Sequence, residues 1–307
     1  MAAEVGTKSV VAALLANSGI AAAKFVGFFF TRSSSMLAEA VHSVADAGNQ
    51  ALLLLGVRRA TKRPSTEHPF GYGRERYFWS FIVAVVIFTL GAGFAVYEGI
   101  EKVRHPHEIK GLWWAVAILG TGIVLESLSF RTAIREARPL RGQKTWWQFI
   151  RRSRSPELPV VLLEDFGALA GLVIALVAVV LAHVTGNAVW DGIGTLCIGA
   201  LLGTIAVLLA IELKSLLIGE GALPEHRQQL LAAASTAPGV RRVIHLRTQH
   251  LGPQELLVGV KAEFDAELDM QGLASAVDAT EARLRAAVPI AQVIYVEPDL
   301  LRGESSK

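Results

Sequence analysis

Apolar residues gather into six long runs in the first 212 or so residues, at approximately Val10 to Phe30, Met36 to Val57, Tyr77 to Tyr97, Leu112 to Phe130, Leu158 to His183 and Val189 to Leu213. A helix rises about 1.5 Å per residue, so about 20 such residues cross the hydrocarbon core of a bilayer. Six membrane-spanning helices are therefore expected. The first run is too long for a cleavable leader, holds Lys24 and is followed by Arg32 instead of a small-residue cleavage pattern, so it is expected to stay in the mature chain.

Beyond Leu213 the pattern changes: Gly219 to Pro224 breaks the helix, and about Ala222 to Leu301 is polar enough to fold in water. Glu225 to Ala237 reads as an amphipathic helix and Val240 to His250 as a strand, followed by a Gly252-Pro253 turn. Leu256 to Phe264 alternates strongly and predicts a second strand, Met270 to Val288 a helix, and Ala291 to Glu297 a third strand. The expected architecture is an all-α membrane domain of six transmembrane helices, residues 1–215, followed by a small α+β domain of order α-β-β-α-β, ferredoxin-like, over residues 216–307. A small sheet with a modest core and open edges suits pairing with a second copy, so a homodimer is expected.

Composition agrees once the runs are seen. The chain is 52% hydrophobic and 19% charged, close enough to globular averages that the clustering, and not the percentage, argues for membrane lipid as its surroundings. Cys197 is the sole cysteine, which excludes a disulfide framework and any Cys-based zinc cluster, and a net charge of +3 gives no reason to expect nucleic acid. The positive charges are one-sided. Arg58, Arg59, Lys62, Arg63, Arg74 and Arg76 follow the second run, and Arg131, Arg135, Arg138, Arg141, Lys144, Arg151, Arg152 and Arg154 follow the fourth. The connections after the first, third and fifth runs hold only Arg32 and then Lys102, Arg104 and Lys110. The positive-inside rule places both termini in the cytoplasm, and the short N-terminus fits a bacterial plasma membrane.

Ionisable groups inside spanning helices are costly, about 2.5 to 3.5 kcal/mol each on insertion scales, and mark function by default. The second run carries Glu39, His42 and Asp46, with Asn49 one turn further, all on one helical face; the fifth carries Glu164 and Asp165, adjacent and so pointing about 100° apart. A histidine with carboxylates suits zinc or a related divalent ion such as Mn, Fe, Co or Ni. The competing reading is a polar stripe that joins helices by hydrogen bonds.

The stretch from Ser33-Ser34-Ser35-Met36 through Glu39, His42, Asp46 and Asn49 to Gln50, followed by His68-Pro69-Phe70-Gly71-Tyr72-Gly73-Arg74, resembles the cation diffusion facilitators. Leu162-Leu163-Glu164-Asp165, the ending Val293 to Pro298, and Glu126 with Ser127 to Phe130 look most like the zinc transporter 9-like branch of that family. The resemblance implies export of a divalent cation from the cytoplasm in exchange for protons, by a homodimer that alternates between inward-open and outward-open states. It implies metal ligands at His42, Asp46 and Asp165. The family's fourth ligand lies one turn before Asp165, where this chain has Val161, so Glu164, Asn49 or a water fills the gap or three protein ligands suffice. Glu39 and His68 are further candidates, His68 as a capture point for ions or as part of a turn built by Pro and Gly.

In the soluble segment His245 and His250 are five apart on one strand and are expected on opposite sides, so dimerisation is a better role for this domain than metal binding. Protons and metal exclude each other at such ligands, which is the physical basis of exchange. No cofactor is expected. Neither a G-x-x-x-x-G-K-[ST] nor an H-E-x-x-H motif occurs, which argues against an ATP-driven pump and a metalloprotease and leaves a non-transporting scaffold or metal sensor as the alternative.

Overall fold

The computed structural model of the chain describes residues 34–106 and 112–300, with residues 11, 14, 15, 17–19, 21–23, 25, 26 and 29 ahead of them; side chains at 34–43, 45, 46 and 86–88 lie outside the description. The described residues of the first apolar run are helical, but Lys24 and Arg32 fall outside. The chain divides into two compact units, one of residues 1–59 and 75–214 and the other of residues 60–74 and 215–307.

The first unit is helical. Its elements are α1 (Ser34–Ala60), α2 (Glu75–Ile82), a five-residue π-helical segment (Val83–Ile87), α3 (Phe88–Arg104), α4 (Leu112–Arg141), α5 (Trp146–Arg152), α6 (Glu157–Thr185) and α7 (Val189–Ile218). α2, the π segment and α3 form one continuous helix over Glu75–Arg104. Among the described residues four helices are long and apolar enough to cross a membrane: Glu75–Arg104, Leu112–Arg141, Glu157–Thr185 and Val189–Ile218. The second expected span coincides with α1, whose polar stripe and terminal Arg58 and Arg59 dilute its apolar character. Leu90, Phe94, Trp113, Trp114, Val207 and Ile211 are exposed, as lipid-facing side chains would be.

Small residues let these helices close on one another. A Cβ on Gly192 or Gly199 of α7 would lie 2.7 Å and 2.8 Å from the Cγ2 atoms of Val103 and Val96 on α3, and one on Gly194 would meet the Ala178 Cβ of α6. Lys102 ties the same pair of helices at one end, reaching Asp191 at 3.1 Å and Glu98 at 3.2 Å. α5, started by a capping box in which Thr145 and Gln148 satisfy each other's backbone N–H groups, sends Arg151 to Glu212 of α7 at 3.0 Å.

The second unit is an α+β layer: α8 (Pro224–Ser235), β1 (Val240–Gly252), β2 (Glu255–Phe264), α9 (Met270–Ala287) and β3 (Ala291–Pro298). β2 lies centrally, antiparallel to β1 and parallel to β3. Its alternation is realised in full: Leu256, Val258, Val260, Ala262 and Phe264 are buried against Leu230 and Ala234 of α8 and Ala276 and Leu284 of α9. Asp269 caps α9 by accepting a hydrogen bond from the Gly272 N–H at 2.7 Å. Lys261 joins β2 to the end of β3, reaching Glu297 at 3.0 Å and Asp299 at 2.7 Å, and these hydrogen bonds to Asp299 and Glu297 raise its pKa.

The connection at residues 60–74 belongs to this unit. It folds on itself through Ser65, whose Oγ accepts from the His68 N–H at 3.1 Å and also meets the Tyr72 hydroxyl, while Gly71 adopts φ +81° and donates its N–H to the His68 carbonyl. At its end Gly73 presses on the β1–β2 turn: a Cβ there would lie 2.7 Å from the Leu251 carbonyl oxygen and 3.0 Å from the Gly252 Cα. Both obstacles are backbone and cannot swing away. Glu255, whose Oε2 would be 2.9 Å from that Cβ, has its carboxyl pKa pushed up by burial.

Two outcomes follow for thermal unfolding of the full chain in detergent. Gly73→Ala lowers stability by about 1–3 kcal/mol through overpacking, whereas Gly120→Ala, where a Cβ meets nothing within 4 Å, does not lower it. For Glu255 the folded pKa lies above the ordinary 4.5, so its contribution is intact below 4.5 and is lost as pH rises through the folded value. Glu255→Gln, neutral throughout, therefore melts above the parent at neutral pH and level with it at about pH 4.

Candidate metal centre

α1 carries His42 and Asp46 at i and i+4 and Asn49 one turn beyond Asp46. Glu39, His42 and Asp46 are helical in backbone, and their side chains lie outside the described residues. Asn49 and Gln50 are described, and both are 2% exposed. Each makes a bond from α1 to another segment: Asn49 Nδ2 donates to Glu164 Oε1 of α6 at 2.6 Å, and Gln50 Oε1 accepts from Asn17 Nδ2 at 3.2 Å.

On α6 the two neighbouring acids reach different helices. Glu164 bonds Asn49 of α1, while Asp165, 7% exposed, accepts from Ser129 Oγ of α4 at 3.1 Å. The angle of about 100° between consecutive helical residues accounts for the divergence. Val161, one turn before Asp165, is buried and offers no donor. The structure thus brings Asn49 and Glu164 together, and with them the backbones of the polar stripe of α1 and the acidic pair of α6. Among the described residues no three His, Cys, Asp or Glu side chains come together, and two of the three expected ligands, His42 and Asp46, lie outside that set.

The remaining candidates lie in the other unit. His68 is exposed, and its ring meets that of Tyr72 edge-on at 4.7 Å between centroids. His245 is exposed, whereas His250 is 1% exposed with Nδ1 3.3 Å from the Gly252 carbonyl oxygen. The two histidines of β1 do face apart.

No local sequence signal marks Ser129 as a site residue. A hydroxyl in an apolar helix usually bonds its own backbone, as Ser127 does to the Ile123 carbonyl at 2.6 Å. A residue two places on turns about 200° around the helix, and that turn separates a self-satisfied serine from one that reaches Asp165.

A model of the cation efflux transmembrane domain matches residues 10–218, more than half of the chain and all seven helices of the first unit. The chain belongs to the cation efflux family. A relative from Mus musculus, proton-coupled zinc antiporter SLC30A9, mitochondrial, is 36% identical over 267 residues, covering 86% of this chain and 46% of its own length. Metal tolerance protein C4 of Arabidopsis thaliana is 32% identical over 267 residues, covering 86% and 57%. This cation efflux chain thus spans about half the length of the curated relatives it matches. None of these relatives is described as an enzyme. A solved MamM-CTD structure, 25% identical, covers 25% of this chain and 92% of its own with a TM-score of 0.24.

For this member of the family, Asn49→Leu removes a hydrogen bond donated to Glu164 across the α1–α6 interface. The expected cost is about 1–3 kcal/mol, read by thermal unfolding, and Asn49→Gln recovers part of it.

Proposed function

We propose that this chain is a divalent cation transporter, with zinc as its principal cargo, that exports the ion from the cytoplasm in exchange for protons. The observation that carries this reading is the Asn49–Glu164 bond between α1 and α6, which brings together two helices that hold buried polar and acidic residues in an otherwise apolar bundle. The names of the relatives, a proton-coupled zinc antiporter and a metal tolerance protein, support it.

In this reading His42 and Asp46 of α1 and Asp165 of α6 bind the ion. Glu164, next to Asp165, fills the place left by Val161, with Asn49 fixing its carboxylate. Glu39 and His68 serve the approach of ions. Ser129 orients the Asp165 carboxylate by donating a hydrogen bond to it. Coordination requires neutral His42 and ionised Asp46 and Asp165, so protons arriving from the acidic side displace the ion and discharge the site for its return. The pair α1 and α6 opens alternately to the two sides of the membrane. Six spans, both termini in the cytoplasm, a bacterial plasma membrane location and a homodimer joined through the α+β unit complete the proposal.

Purified protein in sealed vesicles with an imposed pH gradient tests it. Zinc flux is expected from the parent, with Mn, Fe, Co and Ni run in parallel to rank cargo, and Asp165→Ala, His42→Ala or Asp46→Ala should reduce it by at least about tenfold, since removing even a group that only orients a metal ligand costs about 10- to 100-fold in affinity. No flux of any of the five ions, as a scaffold or sensor would give, or full flux by the Asp165→Ala protein, would overturn the reading.

A further inference from the structure

Among the described ion pairs, one has both side chains buried. Arg76 Nε donates to Glu157 Oε1 at 2.5 Å, with the side chains 9% and 2% exposed. Desolvating two charges costs much of what their attraction returns, so such a pair is weak evidence for stability and calls for another reason. The helix dipole sharpens the point. Glu157 stands in the first turn of α6, where a negative charge is favoured, but Arg76 stands in the first turn of α2, where a positive charge is not. Its placement is explained by what it reaches.

The same turn of α2 also holds α1. Glu75 accepts from Trp79 Nε1 at 2.7 Å and lies 4.0 Å from Arg59 of α1, whose guanidinium sits over the Trp79 ring at 5.4 Å from its centroid. Gly56 of α1 fits against this turn so closely that a Cβ there would be 2.9 Å from the Trp79 Cβ and 3.3 Å from the Glu75 carbonyl oxygen. One turn of helix thus grips α1 through Glu75 and Trp79, and α6 through Arg76. Gly56 lies seven residues beyond Asn49, and Glu157 seven residues before Glu164. Both grips are therefore about 10.5 Å of helix rise from the place where α1 and α6 meet directly.

We propose that the first turn of α2 is a bracket that sets the spacing of α1 and α6, and that Arg76 and Glu157 are positioning residues for ion binding between those helices. This rests on the transport reading above. Neither residue touches the ion. The pair fixes the start of α6 against α2, α2 fixes the end of α1, and the Asn49–Glu164 bond closes the triangle. Without the buried pair α6 keeps its fold but loses its register against α1, and the ion is bound less well.

The test is zinc transport by the full chain in vesicles, with KM and turnover measured separately. Arg76→Gln and Glu157→Gln are expected to raise the zinc KM about tenfold, the size seen when groups that orient metal ligands are removed, with a smaller change in turnover. The exchanged pair, Arg76→Glu with Glu157→Arg, restores at least half of the loss. A purely structural pair would change protein yield and melting temperature and leave KM alone. If the single variants do not fold, Arg76→Leu with Glu157→Leu, which leaves no buried charge, carries the test: a raised KM at parental melting temperature supports the bracket, and a parental KM overturns it. If the parent moves no ion, the transport reading falls and the bracket's role with it. If the parent transports and every folded variant keeps its KM, the bracket alone falls.

Discussion

A polar side chain surrounded by hydrocarbon has no water to turn to, so it must find a partner on another helix or carry its desolvation cost unrelieved. That constraint organises the helical unit. Asn49 and Glu164 meet because neither can face lipid, Asp165 draws the Ser129 hydroxyl of α4, and Gln50 draws Asn17. Each bond links two helices, and together they join α1, α4 and α6 in the region where the acidic residues lie. The apolar residues that make up most of these helices are equally content against lipid or protein, so they place the helices in the membrane without choosing neighbours. Close contact at glycines and a small number of polar bonds make that choice.

The α+β unit follows the opposite logic. There alternation along β2 buries one face of the strand against α8 and α9 and leaves the other half-buried. The connection 60–74 joins this unit through backbone contact at Gly73 and Gly252. Such a contact has little tolerance, because neither partner can rotate out of the way as a side chain would.

Much of this was legible in the sequence. The apolar runs located α6 and α7 to within a few residues, but α4 and the Glu75–Arg104 helix continue past their apolar ends, because charged residues such as Arg131 and Glu101 extend a helix without being able to sit in lipid. The order α-β-β-α-β was readable from periodicity, whereas the direct parallel pairing of β2 with β3 depends on how α9 crosses over, which no local pattern states. In the candidate site Asn49, Glu164 and Asp165 stood out as polar groups in apolar runs. Ser129 did not, since a serine in such a run satisfies itself in most cases. Arg76 had meaning only as one basic residue among several after the second run, and Glu157 had none. Their importance comes from a contact 81 residues apart in sequence.

The π-helical segment Val83–Ile87 adds a widened turn inside one continuous helix. A π turn accommodates one residue more than the regular ladder, so everything beyond it is rotated by about 100° from where an unbroken 3.6-residue period would set it. Arg76 and Trp79 lie on one side of that turn, and Val96 and Lys102, which face α7, on the other. The angular phase between the α1–α6 grip and the α7 grip is therefore stored in a single extra residue, and a register change confined to this turn would re-aim one grip while leaving every contact of the other intact.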